Sequence, residues 1–296
     1  MIIDIHSHAD FYGHSVEKVL ENKNKFGIDI TVLTSCETPT IESVPSVQHM
    51  MSPFTDVDVP FERCVAYKEK APDRFLLAYA PDPRKPDAIS KLKAVLNLYD
   101  ICMCGEVKFR MMYDNFDAIR LFRFCGENGL PVLMHFEYDL NEGTYPWPGY
   151  WFGGGIDTLE RVLKQCPETV FIGHAMGLWL HISGDEQYKT TKYPTGPVLP
   201  GGQLIKLLDM YPNLYCDISA HSGFNALSRD VEFARKFLIQ WQDRIVYGRD
   251  NYENGHREFL ESEKLALPAD VLRKLYCGNA RRILRNGDKI KNAPIV

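Results

Sequence analysis

The sequence predicts an α/β fold, a distorted (β/α)₈ TIM barrel, from three observations. Eight short apolar segments alternate with segments of helical periodicity. The apolar segments are apolar throughout, as in parallel strands that are covered on both faces. The length of 296 residues suits a closed barrel of about 250 residues plus insertions. Because no linker or internal repeat is visible, residues 1–296 are predicted to form a single domain.

The barrel prediction depends on the order of its elements. The predicted strands are Ile2–His6, Ile28–Thr34, Phe75–Ala80, Ile101–Phe109, Pro131–His135, Thr169–His174, Asn213–Ile218 and Ile245–Asp250. Apolar residues at helical spacing predict helices over Val16–Phe26, Phe61–Lys70, Ala88–Tyr99, Phe116–Asn128, Ile156–Cys166, Gln203–Tyr211, Val231–Trp241, Leu267–Tyr276 and Ala280–Leu284. No glycine-rich dinucleotide fingerprint follows the first strand, which disfavours an open doubly wound sheet.

Composition and charge limit the kinds of molecule that this protein is expected to bind. The formal net charge of −5, without a basic cluster, argues against nucleic acid or an anionic membrane as the main partner. No apolar run reaches the roughly 20 residues that cross a bilayer, and no leader precedes the first strand. Eight scattered cysteines indicate reduced, buried thiols. We therefore expect a cytoplasmic protein with a small-molecule substrate, and a homo-oligomer is left open.

Polar side chains that can bind metal follow several of the predicted strands. His6 and His8 share one face of the first strand, because side chains in a strand alternate. A single strand-end histidine is more often structural than a ligand, but here the pattern recurs on four strands. The other residues of this kind are Glu106 and Lys108 on the fourth strand, His135 on the fifth, His174 on the sixth and Asp250 on the eighth.

These residue types predict a mononuclear centre with an open position for water. The ligands are expected to be His6, His8, His135 and Asp250, with one divalent ion, zinc in preference to manganese. Such an ion lowers the pKa of bound water to about 7. His174 is then expected to act as a base or acid near this water, with Asp250 as its partner in proton transfer.

The roles of two residues of the fourth strand stay open at this point. Glu106 suits a further ligand, or an ion pair with Lys108 or Arg110. Lys108 suits a carbamylated bridge between two metals, a cation for a substrate carboxylate, or a structural ion pair.

The ordered set of motifs resembles the amidohydrolase superfamily, and within it the amidohydrolase-related branch that includes aminocarboxymuconate-semialdehyde decarboxylase, related acid decarboxylases and lactonases. The resemblance covers nearly the whole chain. It implies a metallo-dependent hydrolase type of barrel, metal ligation by His6, His8, His135 and Asp250, and a catalytic role for His174. The motifs that carry it are Ile3–His8, Gly105–Lys108, Pro131–His135, Phe171–His174, Tyr247–Asp250 and Gly278–Arg281.

Substrate contacts are expected from the loops that follow the strands. Arg249 departs from the Gly-Ser/Thr-Asp motif that is usual in the branch, and it would favour an anionic substrate if it leaned over the barrel mouth. His221, Trp151 and Trp179 are further candidates. The aromatic loop over residues 137–155 suits either a lid or a segment packed on the barrel rim or a neighbouring subunit.

The sequence favours a metal-dependent hydrolase that cleaves an amide, lactone or similar carbonyl-centred bond. The alternative is a metal-dependent non-oxidative decarboxylase, because both reactions use the same site. A metal-stabilised binding protein is a third hypothesis, which the base candidate His174 argues against. A phosphoesterase that begins with the same His-x-His motif is disfavoured, because Asp250 is not followed by histidine two residues later.

Overall fold

The computed structural model describes residues 1–43, 55–137, 151–250 and 255–290. Eight strands form one sheet in the order β1-β2-β5-β6-β7-β8-β9-β10, and all their pairings are parallel. These are the eight strands that the sequence predicts, so the fold class is confirmed. They are β1 (Ile3–Ser7), β2 (Ile30–Thr34), β5 (Phe75–Ala78), β6 (Ile101–Val107), β7 (Val132–His135), β8 (Phe171–His174), β9 (Leu214–Asp217) and β10 (Ile245–Val246).

The barrel is closed by backbone hydrogen bonds between its first and last segments. Ile5 N donates to Tyr247 O at 3.1 Å, and Asp250 N donates to His6 O at 2.8 Å. The pairing therefore continues past the two regular residues of β10. It brings the end of the eighth strand directly beside the His-x-His motif of the first.

Helices cover the outside of the barrel. Those of eight residues or more are Val16–Lys25, Phe61–Lys70, Ala88–Leu98, Phe116–Glu127, Ile156–Gln165, Gln203–Met210, Ala220–Ser228 and Val231–Gln240. Shorter ones are Met176–Trp179, His256–Leu260, Ala269–Arg273 and Asn279–Ile283, the last two joined by a π-helical turn over Lys274–Gly278. Within the described ranges, no helix combines the length and the apolar character that a membrane span requires.

Two apolar layers hold the barrel together. Inside the barrel, side chains such as Ile3, Ile5 and Val32 pack with Leu133 and Ile172. The 279–283 helix packs against this interior layer at the amino end of the strands. A larger layer lies between the strands and the outer helices. All eight cysteines are free and buried. The candidate metal-binding side chains lie at the opposite end of the barrel, where the strands have their carboxyl ends.

Strand pairing is irregular in β1, which carries His6, and in β6, which carries Glu106. Between Asp4 and Ser7, β1 advances three residues while β2 advances two. Similarly, β6 advances three residues from Cys104 to Val107 while β7 advances two. An extra residue in one strand re-aims the neighbouring side chains. The side chain of Ile5 lies inside the barrel, so strict alternation would have turned the next side chain, that of His6, to the outside. The extra residue in β1 allows His6 to face the barrel mouth instead.

A short antiparallel hairpin was not predicted. It pairs β3 (Cys36–Pro39) with β4 (Val57–Val59) and lies between the second barrel strand and the next helix. The sequence analysis assigned no element to this segment, because each strand is only three or four residues long and interrupted by polar residues. The hairpin brings Asp58 to the edge of the barrel mouth.

Candidate metal centre

Donor atoms from opposite ends of the chain meet at the carboxyl end of the barrel. Asp250 Oδ1 lies 3.2 Å from His8 Nε2 and 3.6 Å from His6 Nε2. The three donor atoms lie within 4.8 Å of one another, a spacing that can enclose one metal ion. The structure therefore brings together three of the four ligands expected from the sequence.

Glu106 lies among the same imidazoles. Its Oε2 is 3.5 Å from His8 Nε2, and its Oε1 is 3.9 Å from His6 Nε2 and 3.8 Å from His174 Nε2. Gly105 precedes it because a Cβ there would lie 2.8 Å from Leu133 Cβ on the adjacent strand. Of the roles left open for Glu106, the position of its carboxylate favours a further ligand over an ion pair with Lys108 or Arg110.

The chemistry of these groups fits a divalent cation. Imidazole nitrogens and carboxylate oxygens are the ligands that zinc and manganese accept. His6 Nε2 is buried and has no hydrogen-bond partner among the described residues. Leaving a buried polar atom unpaired costs about 1–3 kcal/mol unless something binds it. This nitrogen is the atom that a cation between His6, His8 and Asp250 would engage.

Asp250 has an unusual backbone conformation. Its φ of +50° lies in the left-handed region, which aspartate tolerates better than most residues. The hydrogen bond from Asp250 N to His6 O fixes this turn of the chain. Although burial alone would raise its pKa, nearby His6 and a hydrogen bond from His174 hold the pKa of Asp250 well below its usual value. Asp250 is therefore an ionised acceptor.

The outer nitrogens of the histidines are all occupied. Asp217 Oδ2 lies 2.8 Å from His6 Nδ1 and 3.1 Å from His174 Nδ1. Both histidines hold the pKa of Asp217 below its usual value, against the opposing effect of burial. His8 Nδ1 donates to the backbone oxygen of Thr34 at 2.9 Å. Because each of these partners accepts, each Nδ1 carries a hydrogen, and Nε2 is the nitrogen that faces the centre and offers a lone pair there when it is not protonated.

His174 lies next to Asp250 on the far side of the cluster. Its Nε2 is 3.4 Å from Asp250 Oδ2. Burial lowers the pKa of His174, but hydrogen bonds to Asp217 and Asp250 outweigh burial and raise it to about 10. The pKa of His8 is also raised, because Asp250 and Glu106 outweigh burial. The carboxylates therefore stabilise positive charge at this position, whether a proton or a cation carries it.

His135 joins the cluster through Glu106. Its Nδ1 is 2.7 Å from Glu106 Oε1, and its Nε2 is 3.1 Å from Glu137 Oε2. Glu137 in turn lies 3.6 Å from Lys192 Nζ. The Glu106 carboxylate therefore lies between His135 and the group formed by His6, His8 and Asp250. The role of His135 as a direct ligand stays a prediction.

Lys108 is turned toward the hairpin. Its Nζ lies 3.8 Å from Asp58 Oδ2 and 5.2 Å from the centre of the Phe152 ring. Burial raises the pKa of Asp58, and Lys108 only partly opposes this. Of the roles left open for Lys108, the geometry favours the ion pair at the edge of the mouth over a bridge between two metals.

The predicted substrate contacts are not gathered at the centre. Arg249 is buried on the outer side of the strand, where NH1 donates to Asn22 Oδ1 at 2.9 Å and the guanidinium lies 4.7 Å from the Phe26 ring centre. It therefore does not lean over the mouth, which corrects the expectation of an anion contact. The reason is its alternation with Asp250, which takes the inward position.

The other candidates lie around the rim or in the core. Trp179 is buried and donates from its indole nitrogen to Asp217 O at 3.0 Å, so it stabilises the end of β9. His221 is exposed and packs against Tyr193, with ring centres 4.4 Å apart. Trp151 is half-buried. Most of the predicted aromatic lid, residues 138–150, lies outside the described residues.

Sequence reasoning missed three residues that contact the predicted ones. Asp217 ends β9 and is the next-to-last residue of the predicted strand Asn213–Ile218, so the strand-end rule applied to the other strands would have found it. Glu137 follows His135 by two residues, the same spacing as in the His-x-His motif. Phe152 packs edge-on against His135, with ring centres 5.7 Å apart. It could not have been found from spacing, because the loop before it sets its position.

Comparisons with known proteins show the family and the fold of this chain. The family model described as amidohydrolase matches residues 55–285. Comparison with curated proteins found no match. A 2,6-dihydroxybenzoate decarboxylase from Rhizobium has a similar structure, with 15% identity, a TM-score of 0.61 and coverage of 95% of this chain and 98% of that chain.

Two further solved structures resemble this one over nearly their whole length. A dihydroxybenzoic acid decarboxylase from Polaromonas, solved with bound manganese, has 14% identity, a TM-score of 0.59 and coverage of 95% of this chain and 96% of that chain. A putative 2-pyrone-4,6-dicarboxylic acid hydrolase from Pseudomonas putida has 13% identity, a TM-score of 0.58 and coverage of 95% and 96%. At these identities the likeness shows a shared fold.

Proposed function

We propose that this chain, which belongs to the amidohydrolase family, is a metal-dependent hydrolase that acts on an amide, lactone or similar carbonyl-centred bond of a small molecule. One observation carries the proposal. Donor atoms of His6, His8 and Asp250 lie within 4.8 Å of one another, and those of His6, Glu106 and His174 form a second group of this kind. His174 Nε2 also lies 3.4 Å from Asp250 Oδ2.

His6, His8 and Asp250 would hold one divalent ion, with Glu106 as the next available donor and His135 as the further predicted ligand. The nitrogen and oxygen donors favour zinc, and manganese is the alternative. Manganese is the ion in the related Polaromonas decarboxylase. When bound, the ion supplies a Lewis acid that polarises a carbonyl group and lowers the pKa of water.

The protein's own residues would move the protons. A cation bound among these donors would oppose the protonation of His174 and lower its raised pKa. His174 would then accept the proton that an attacking water loses, since its Nε2 faces the centre and its Nδ1 is held by Asp217. Asp250 Oδ2 shares that proton while Asp250 Oδ1 faces His6 and His8. His174 then returns the proton to the leaving group.

Non-oxidative decarboxylation of a small carboxylic acid is the second candidate. The specific support is that two of the similar structures, from Rhizobium and Polaromonas, are decarboxylases of dihydroxybenzoic acids. On this alternative the cluster would orient the acid's carboxylate, and His174 would deliver a proton to carbon. The same residues serve both reactions, so the product distinguishes them.

The test is a substrate panel of lactones, amides, and aromatic and enoic acids. Acid release from lactones is followed by pH-stat, acid and amine release from amides by chromatography, and carbon dioxide release separately. The proposal expects acid release without carbon dioxide. It also expects His174→Asn to lower kcat about 10²–10⁴-fold while His181→Asn, which lies outside the cluster, retains activity. Carbon dioxide as the product would replace hydrolysis with the second candidate. Equal activity of the two variants would remove His174 from either mechanism.

A further inference from the structure

One buried carboxylate oxygen contacts two of the histidines described above. Asp217 Oδ2 lies 2.8 Å from His6 Nδ1 on β1 and 3.1 Å from His174 Nδ1 at the end of β8. The same oxygen accepts a hydrogen bond from Ser219 Oγ at 2.6 Å. Asp217 therefore connects a predicted metal ligand with the predicted proton acceptor.

The surrounding chain holds this carboxylate in one orientation. Asp217 Oδ1 accepts from Ser219 N at 2.9 Å, and the backbone oxygen of Asp217 accepts from the Trp179 indole at 3.0 Å. Gly248 lets the carboxylate approach, since a Cβ there would lie 2.5 Å from Oδ1. Asp217 and Ser219 are fully buried. Such constraints are expected for a residue whose position matters to a neighbouring group.

We propose that Asp217 is a positioning residue that fixes the Nδ1–H tautomers of both His6 and His174, so that both Nε2 lone pairs point into the metal centre. A neutral imidazole has one donor and one acceptor nitrogen, and the acceptor at Nδ1 decides which is which. If either ring took the other tautomer, its Nε2–H would point at the cation site and the lone pair would be lost there.

Asparagine cannot replace aspartate in this position. One end of its side chain is an NH₂ group, which only donates. Placed at the Oδ1 position, the NH₂ would face the Ser219 N–H; placed at the Oδ2 position, it would face the N–H groups of His6 and His174. With the NH₂ at the Oδ2 position, at least one histidine must change its tautomer or turn its ring. With the NH₂ at the Oδ1 position, the buried Ser219 N–H loses its acceptor, and both histidines keep only a neutral amide oxygen, which is a weaker acceptor than a carboxylate.

This inference rests on the proposed metal-dependent function, and the experiment separates the two. Zinc affinity of the purified protein is measured by competition with a chromophoric chelator, for the wild type, Asp217→Asn and Asp230→Asn. Asp230 is the matched control, because its carboxylate accepts from Phe233 N and Val198 N and contacts no histidine. We expect Asp217→Asn to weaken zinc binding about 10–100-fold and Asp230→Asn to leave it unchanged.

Nitrogen-15 NMR of histidine-labelled, zinc-loaded protein gives the readout that a purely structural role would not change. We expect Nδ1–H signals for His6 and His174 in the wild type, with at least one lost in Asp217→Asn. If Asp217→Asn does not fold, Ser219→Ala takes its place. Ser219 Oγ donates to Asp217 Oδ2 and also lies 3.3 Å from His6 Nδ1 and 3.1 Å from His174 Nδ1, so its loss loosens the same arrangement and should weaken zinc binding about fivefold or more.

A wild type that binds no zinc would overturn the proposed function and this inference together. A wild type that binds zinc, with equal affinity and unchanged tautomers in Asp217→Asn, would overturn the inference alone. The same holds if Ser219→Ala, used in its place, binds zinc as the wild type does.

Discussion

Replacing Gly248 with alanine would place a methyl carbon 2.5 Å from Asp217 Oδ1, 3.1 Å from His6 Cβ and 3.2 Å from Ser219 Cβ. Ordinary contacts begin at 3.4 Å, so the carboxylate or the strand must move by about 1 Å. The carboxylate cannot rotate away freely, because both of its oxygens accept hydrogen bonds. The crowding therefore displaces the group that orients His6.

Overpacking of this kind costs about 1–3 kcal/mol of folding free energy, which for a chain of this size lowers Tm by a few degrees. We also expect zinc affinity to fall by about tenfold or more, because the group displaced supports a ligand. Thermal unfolding followed by circular dichroism measures the first effect, and chelator competition measures the second.

Gly155→Ala is the matched control for Gly248→Ala. Among the residues that the structure describes, none beyond its chain neighbours has an atom within 4 Å of the Cβ position at Gly155, and its φ of −98° suits any residue. This variant should keep the zinc affinity of the wild type. Equal zinc affinity in Gly248→Ala and Gly155→Ala would refute the reasoning that the close approach of Asp217 to Gly248 matters to the centre.

Three further predictions follow from the site and its surroundings. His135→Ala should lose bound metal while His181→Ala retains it, measured as metal per chain by elemental analysis; full occupancy in His135→Ala would exclude it as a ligand. The pKa values of His8 and His174 are raised, that of His174 to about 10. A proton on His8 occupies a ligand nitrogen and a proton on His174 puts positive charge beside the cation, so both oppose metal binding. Metal affinity should therefore rise with pH up to about 10 and binding should release protons, which calorimetry in buffers of different ionisation enthalpy measures; a pH-independent affinity would contradict this. Arg249→Met should lower the free energy of unfolding by roughly 2–4 kcal/mol, because a buried hydrogen-bonded charge is lost, and leave metal content unchanged; loss of metal with unchanged stability would place Arg249 at the centre after all.

Much of the fold could be predicted because each barrel strand is a short apolar segment between helical segments. The positions of His6, His8, His174 and Asp250 also followed from one rule, that the ends of parallel strands meet at one edge of the barrel. That rule needs no knowledge of side-chain packing.

The remaining details depend on contacts that the sequence pattern does not contain. The register irregularities in β1 and β6 set where His6 and Glu106 point, and nothing in the apolar pattern marks them. Arg249 is buried against Asn22 because the strand places alternate residues on opposite sides. The partner of Lys108 is Asp58, which comes from a hairpin that was not predicted.

The most direct test of the central claim is a crystal of zinc-loaded protein measured on both sides of the zinc absorption edge. The account predicts one anomalous peak per chain, about 2.0–2.2 Å from His6 Nε2, His8 Nε2 and a carboxylate oxygen of Asp250. A peak elsewhere in the chain, or none between these three side chains at full metal loading, would contradict it.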